Sequence, residues 1–216
     1  MRVLITGFDP FGGEKVNPAY EAVKLLPDRI ADAEIRKVEI PTSFSGSVKA
    51  DKREIDEFAP DIVINVGQAG GRAGITVEKV AINLKDAGIP DNDGEMPSDQ
   101  PVQEKGADAY FSTLPVKRMV EHIKAHGIPC SVSYSAGTYV CNCIMYQMLY
   151  MAATEKRKMQ AGFIHVPFSS EQAVLKGAAA PFMPVEMTAR ALLYAVEAAV
   201  NTMRETQGQN HQEQER

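Results

Sequence analysis

Two apolar segments, Arg2–Thr6 (RVLIT) and Asp61–Val66 (DIVINV), decide the fold of this chain. Each is rich in β-branched and aliphatic residues and stops at a glycine, Gly7 or Gly67, which is typical of a strand buried on both faces. Between such strands lie segments whose apolar residues recur at helical spacing, such as Ser45–Phe58. Alternating strands and helices predict an α/β fold with a mostly parallel sheet that helices cover on both faces.

The rest of the chain continues this alternation. Further strands are predicted at Ala33–Ile40, Ile75–Leu84, Pro129–Tyr134 and Ala161–Val166. Further helices are predicted after Asn17-Pro18 and over Val116–His126, Tyr139–Lys158 and Val185–Glu205. The segment Lys85–Gly106 is rich in Pro, Gly, Asp and Asn and is predicted to be a long loop, and loops of this length are often functional. No linker interrupts the pattern, so we expect a single domain over residues 1–206 and a polar, disordered tail over residues 207–216.

The composition excludes several classes of protein. The chain has 216 residues, of which 44% are hydrophobic and 24% charged, as in an ordinary globular protein. Its 23 basic and 28 acidic residues give a net charge of −5, which indicates no partner such as nucleic acid or an anionic membrane. The segment Met1–Gly13 lacks the apolar core and cleavage site of a signal peptide. With only three cysteines, Cys130, Cys141 and Cys143, we expect a cytoplasmic protein with reduced thiols.

The position of the cysteines relative to the strands favours Cys141 as a reactive group. In parallel sheets, ligands bind outside the carboxyl ends of the strands. Cys141 follows the strand Pro129–Tyr134 and lies in the first turn of the next helix, where free N–H groups and the helix dipole stabilise a thiolate. Cys130 begins a strand, and Cys143 lies about 200° further round the helix.

His165 and Glu78 are the candidate partners of Cys141. His165 lies near the carboxyl end of the strand Ala161–Val166, where it could act as a base for the thiol. Glu78 shares a strand face with Thr76 and could orient the imidazole. Structural alternatives stay open, because a histidine in an apolar strand is usually a core residue and a lone glutamate in a half-exposed strand usually faces water.

Other motifs give weaker signals. Cys141 and Cys143 form a Cys-x-Cys pair, but no further ligands with the usual metal-site spacing appear. His122 and His126 are four residues apart, which suits a metal, although a solvated helix face is the better interpretation. The run from Gly67 to Gly71 lacks the spacing of a dinucleotide site, and Gly70-Gly71-Arg72 is only a weak phosphate-site candidate. Phe8 and Phe11, flanked by glycines, suit either a ligand loop or the core.

Several longer motifs resemble those of the pyroglutamyl peptidase I family of cysteine peptidases. They are GFDPFGG at 7–13, ITVEKVAIN at 75–83, IPDN at 89–92, AYFSTLP at 109–115, SAGTYVCN at 135–142 and GFIHVPF at 162–168. They contain Glu78, Cys141 and His165 and follow one another in the family's order. The chain departs from the family pattern at Gly88, where many members carry arginine, and at Tyr139, where phenylalanine is common.

The resemblance implies a three-layer α/β/α sandwich of the phosphorylase/hydrolase-like type. It implies hydrolysis of the amide bond after an N-terminal pyroglutamyl (5-oxoproline) residue through a thioester, with Cys141 as nucleophile, His165 as general base and acid, and Glu78 orienting the imidazole. Implied substrate-binding residues are Phe8, Phe11, Thr42, Gln68, Ile89, Tyr139 and Val140. It implies no metal and no organic cofactor, and its implied partners are pyroglutamylated peptides and further copies of the chain, as a tetramer or dimer. The rival interpretations are a nucleoside phosphorylase and a ligand-binding module without catalysis.

Overall fold

The computed structural model describes residues 1–155, 157–176 and 180–214. The strands are β1 (Arg2–Phe8), β2 (Arg29–Ile30), β3 (Ala33–Ile40), β4 (Ile62–Gln68), β5 (Ile75–Glu78), β6 (Val80–Ile82), β7 (Ala109–Phe111), β8 (Cys130–Ser133) and β9 (Gln160–Val166). The helices are α1 (Pro18–Lys24), α2 (Phe44–Phe58), α3 (Val116–Ala125), α4 (Val140–Thr154), α5 (Ser170–Lys176) and α6 (Val185–Gln214).

The central sheet of the described chain has the strand order β2-β3-β1-β4-β9-β5-β8. Strands β3, β1, β4 and β9 run parallel to one another, as the alternation of strands and helices predicts. Two reversals occur: β2 pairs antiparallel with β3, and β5 pairs antiparallel with β9 while running parallel to β8. The predicted mostly parallel α/β sheet is therefore confirmed, with β5 and β8 at one edge and β2 at the other running in the opposite direction.

Helices pack on both faces of this sheet and form two separate hydrophobic cores. On one face, α1, α3 and α6 bury side chains such as Ala19, Met119 and Leu192 against the sheet. On the other face, α2 and α4 bury Ile55, Met148 and their neighbours. Burial of the apolar stripe of each helix holds the three layers together, because each apolar side chain removed from water contributes about 1.5–3 kcal/mol.

One predicted strand, Ile75–Leu84, is divided at Lys79. Its first half is β5 of the central sheet, and its second half, β6, leaves that sheet to pair with β7. Asn142 on α4 fixes the departing segment, because its side chain accepts from the backbone N–H of Ile82 at 2.9 Å and donates to the carbonyl of Ile82 at 2.9 Å. Alternating apolar residues continue through the break, so the pattern does not reveal it.

The last helix differs from its prediction. Residues 207–214 continue α6 as helix, whereas the sequence predicted a helix end at Glu205 and a disordered tail. The segment contains four Gln and one Glu, which favour helix, and no proline that would stop it. Residues 215–216 lie outside the described part. Among the described helices, none is both long enough and apolar enough to cross a membrane.

Candidate active site

A cavity of about 220 Å³ lies beside the carboxyl ends of β1, β4 and β9. Seven of the predicted catalytic and substrate-binding residues line it: Phe8, Phe11, Thr42, Gln68, Tyr139, Cys141 and His165. This volume is below the roughly 300–1,000 Å³ of pockets that hold drug-sized ligands, so it suits a small ring. Larger hollows exist elsewhere, such as one of about 620 Å³ beside Tyr150, but it contains neither Cys141 nor His165.

Cys141 lies in the first turn of α4, one residue after the helix begins at Val140. Its side chain is partly buried and passes close to the backbone of β4 at Gly67. A Cβ atom at Gly67 would lie 2.9 Å from Sγ of Cys141 and 2.7 Å from the ring of Phe163. Glycine at the end of β4 is therefore what allows the thiol to approach the sheet. The N–H groups of the first helical turn have no partner within α4 and are free to bind an anion.

His165 and Glu78 form a buried hydrogen-bonded pair. Nδ1 of His165 lies 2.8 Å from Oε1 of Glu78, and both side chains are almost wholly buried. Because a carboxylate only accepts hydrogen bonds, the proton of the neutral imidazole lies on Nδ1. Nε2 of His165 is then left as an acceptor for a proton.

The register of the sheet explains this pair. His165 lies beside Gly67 on one side and opposite Thr76 on the other. Glu78 is two residues beyond Thr76 on the same face of β5, which makes it a diagonal neighbour of His165. The sequence argument that carboxyl ends of strands meet at one edge is wrong for β5 and β8, because these strands run antiparallel to β9.

Arg72 also contacts Glu78, and sequence reasoning missed this role. Its Nη1 donates to Oε1 of Glu78 at 2.7 Å and also to the hydroxyl of Thr76. Its Nη2 donates to the carbonyl of Ser135 at 3.2 Å, in the turn before α4. The guanidinium lines the cavity but is engaged with this carboxylate, so it makes a poor phosphate site. The only available signal was its position after Gly70-Gly71.

Burial and charge set the protonation states of the site. Burial, together with the charge of Glu78, raises the pKa of the Cys141 thiol to about 12, and the charge of Arg72 opposes this rise only in part. Burial lowers the pKa of His165, and hydrogen bonding to Glu78 opposes that shift without cancelling it. Burial by itself would raise the pKa of Glu78, but His165, Ser133 and Arg72 outweigh it and lower that pKa. Burial therefore favours a neutral thiol and a neutral imidazole, and it opposes the stabilisation of a thiolate that the helix N-terminus predicts.

Aromatic side chains form much of the cavity wall. The rings of Phe11 and Tyr139 lie 6.4 Å apart between centroids, and the hydroxyl of Tyr139 donates to the carbonyl of Pro90 at 3.0 Å. The structure does not bring two of the predicted substrate-binding residues to the cavity lining. Ile89 is 49% exposed, and Val140 is fully buried in the core beneath α4.

The remaining cysteines and histidines lie away from the cavity. Cys130 and Cys143 are buried. His126 stacks on the ring of Tyr194 at 3.7 Å, and His122 lies between that ring and a glutamate of α6. Within residues 1–155, 157–176 and 180–214, no three His, Cys, Asp or Glu side chains form a group that could hold a metal ion.

Comparison with known proteins identifies the family. A profile of the pyroglutamyl peptidase family matches residues 1–202. The pyrrolidone-carboxylate peptidase of Enterococcus faecalis is 53% identical over 207 residues, which are 96% of this chain and 97% of that protein. The crystal structure of Bacillus amyloliquefaciens pyroglutamyl peptidase I matches with a TM-score of 0.88 and 44% identity, over 92% of this chain and 96% of that chain. The pyrrolidone carboxyl peptidase of Thermococcus litoralis matches with a TM-score of 0.91 and 39% identity, over 95% of this chain and 96% of that chain. The chain therefore belongs to the pyroglutamyl peptidase family of enzymes.

Proposed function

We propose that this chain is a cysteine exopeptidase that hydrolyses the amide bond after an N-terminal pyroglutamyl residue. In this proposal Cys141 is the nucleophile, His165 is the general base and acid, and Glu78 orients the imidazole. The observation that carries it is the 2.8 Å contact between Glu78 and His165 behind a cavity that Cys141 also lines. Membership of the pyroglutamyl peptidase family supports the choice of substrate.

The chemistry of the cavity suits a neutral ring. A pyroglutamyl group carries a lactam in place of the usual N-terminal ammonium, so it needs no carboxylate partner. Among the described residues, no aspartate or glutamate side chain lines the cavity, whose walls include Phe8, Phe11 and Tyr139. A free N-terminal ammonium would therefore lose its hydration without gaining an ion pair, which is costly.

Attack begins with proton transfer, because burial favours a neutral thiol and a neutral imidazole. The thiol proton of Cys141 passes to Nε2 of His165 as Sγ attacks the carbonyl carbon of the scissile amide. The carbonyl electrons move onto oxygen, where the free N–H groups of Val140 and Cys141 at the start of α4 stabilise the negative charge. Glu78 stabilises the imidazolium that forms.

Two further transfers complete the turnover. The imidazolium of His165 protonates the leaving amine as the C–N bond breaks, which leaves the pyroglutamyl group on Cys141 as a thioester. His165 then takes a proton from water as the water oxygen attacks the thioester carbonyl. The thiol of Cys141 leaves with a proton, and free pyroglutamate is released.

The cysteine pair on α4 offers a matched test of this assignment. We expect Cys141→Ala to lower kcat/KM for a fluorogenic pyroglutamyl amide by about a thousandfold or more, because the nucleophile is lost. Cys143→Ser is the control, since Cys143 is two residues away and buried in the core. It should keep most of the activity. An inactive Cys143→Ser protein with a normal fold, beside an active Cys141→Ala protein, would contradict the assignment.

A further inference from the structure

Gln172 is a buried glutamine that the mechanism does not use. It lies on α5, just beyond the end of β9, and is 1% exposed. Its side-chain oxygen Oε1 accepts a hydrogen bond from the backbone N–H of Ser169 at 3.0 Å, and the hydroxyl of Ser169 accepts from the backbone N–H of Gln172 at 3.2 Å. This reciprocal pair fixes Gln172 at the start of α5.

The partners of Gln172 determine which way its amide points. A backbone N–H can only donate, so the atom that faces Ser169 must be the oxygen. The amide nitrogen Nε2 then faces a carboxylate oxygen of Glu14 at 3.2 Å and the carbonyl of Val16 at 3.4 Å, which can only accept. Acceptors on one side and a donor on the other leave Gln172 a single satisfactory orientation.

The same Nε2 atom donates to Oε1 of Gln68 at 2.8 Å. Because Gln172 presents a donor, the end of Gln68 that faces it must be the oxygen. The amide nitrogen of Gln68 is thereby turned away from Gln172. Gln68 lines the cavity with Cys141 and His165, and within the described part of the chain its Nε2 donates no hydrogen bond to a protein acceptor.

We propose that Gln172 is a positioning residue that holds Gln68 with its N–H groups directed at the ring carbonyl of the pyroglutamyl group. This inference rests on the proposed function and adds to it a basis for recognising the lactam. A prolyl group has the same five-membered ring but a methylene in place of that carbonyl and an ionised ring nitrogen. A prolyl substrate would therefore leave the N–H donor of Gln68 without an acceptor, and an unpaired polar group in a binding site typically disfavours a substrate strongly.

Two glutamate variants test the proposal by reversing the polarity of the amide pair. In Gln68→Glu, one carboxylate oxygen accepts from Gln172 and the other presents an acceptor to the ring carbonyl. In Gln172→Glu, an acceptor faces Gln68 and the amide of Gln68 must turn its oxygen towards the cavity. For both, we expect KM for a pyroglutamyl amide and the inhibition constant of the free lactam pyrrolidone to rise about tenfold to a hundredfold, with kcat changed much less.

A second glutamine pair provides the matched control. Gln103 donates to Oε1 of Gln147 at 3.0 Å, and neither residue lines the cavity. Gln147→Glu makes the same chemical change away from the site and should leave KM and pyrrolidone inhibition as in the unmodified enzyme. Thermal unfolding of every variant separates binding from folding. A carboxylate at position 172 would lie beside the carboxylate of Glu14 and could prevent folding. In that case the KM values of Gln68→Glu and of Gln172→Met test the role of Gln172.

The outcomes distinguish this inference from the proposed function. An unmodified enzyme that does not hydrolyse the pyroglutamyl amide overturns both. An active enzyme whose KM and pyrrolidone inhibition are unchanged in the variants overturns the role of Gln172 alone. A rise in KM for Gln68→Glu but not for the variants of Gln172 also overturns that role. A loss of thermal stability at Gln172 with unchanged KM would show that the residue only supports the fold.

Discussion

Oε1 of Glu78 accepts hydrogen bonds from two cationic or potentially cationic side chains, His165 at 2.8 Å and Arg72 at 2.7 Å. The carboxylate cannot rotate without losing one of them, so it is held in the position that orients the imidazole. Arg72 also reaches the carbonyl of Ser135 in the turn before α4. A single guanidinium thus links the strand that carries Glu78 to the segment that carries Cys141.

Removal of Arg72 is expected to change the pH dependence of the reaction. Arg72 lowers the pKa of Cys141 and of His165 through its charge. In Arg72→Met both pKa values therefore rise, and His165 is protonated and inactive as a base up to a higher pH. We expect the acid limb of kcat/KM to move upward by up to about one pH unit, since the guanidinium is partly screened by water. The measurement is the pH profile of pyroglutamyl-amide hydrolysis.

Arg118→Met is a suitable control for that experiment, because Arg118 pairs with Glu205 on the surface and does not line the cavity. An unshifted acid limb in Arg72→Met, with activity merely scaled down, would contradict the electrostatic role of Arg72.

Sequence reasoning selected Cys141, His165 and Glu78 because each lies near a predicted strand end and in a family motif, and the structure brings Glu78 and His165 into contact beside the cavity that Cys141 lines. It could not identify Arg72, whose contact with Glu78 depends on the turn at Gly71, where φ is +88°. It also could not take account of the burial of the Cys141 thiol. The helix N-terminus is a local feature that the sequence displays, whereas burial, which raises this pKa, depends on the folded chain.

At the scale of elements, the pairing between strands was the least predictable feature. The apolar alternation of Ile75–Leu84 predicted one strand, but it carries no information about which neighbour pairs with it or in which direction. The reversal of β5 against β9 brings Thr76 opposite His165 and so makes the Glu78 contact possible. The short α5 was not predicted either, so the contact between Gln172 and Gln68 could not be anticipated.

Helix α2 packs on the sheet around a buried acid, Asp51. The side chain is fully buried, and one of its carboxylate oxygens accepts from the amide of Asn65 on β4, which also donates to Thr6 on β1 at 2.7 Å. Burial raises the pKa of Asp51 to about 7, the hydrogen bond from Asn65 opposes this rise, and Glu54 adds to it. The folded protein therefore retains a proton at pH values where the unfolded chain has lost it.

This proton makes the free energy of unfolding depend on pH. Between about pH 4 and pH 7 the folded state binds more protons at Asp51 than the unfolded state, so this contribution to stability falls as pH rises. Asp51→Asn keeps the shape and removes the titration. At pH 8 we expect the free energy of unfolding of the variant to exceed that of the unmodified protein by on the order of 2 kcal/mol. The variant should also lose much of the decrease in the free energy of unfolding that the unmodified protein shows between pH 5 and pH 8.

Denaturant unfolding at several pH values measures this effect. Glu57→Gln makes the corresponding change at an exposed position of the same helix and should leave the decline in place. A variant at Asp51 that is less stable at pH 8, or that keeps the full decline, would contradict the account of the buried acid.

At the scale of the whole molecule, the layered fold followed from the alternation of strands and helices, because burying apolar faces on both sides of a sheet requires helices there. The extension of α6 over residues 207–214 did not follow, since a polar segment is compatible with either helix or coil. The cytoplasmic location and the homo-oligomeric state stay predictions, and each depends on surroundings that a single chain does not contain.

The central claim is that this enzyme cleaves pyroglutamyl amides with a thiol. The measurement that tests it most directly is release of the fluorophore from a pyroglutamyl amide in phosphate-free buffer, with and without prior treatment with iodoacetamide. We predict turnover without phosphate, complete loss after alkylation, and protection from alkylation by the lactam pyrrolidone. Absence of turnover, a requirement for phosphate, or full activity after alkylation of Cys141 would contradict the account.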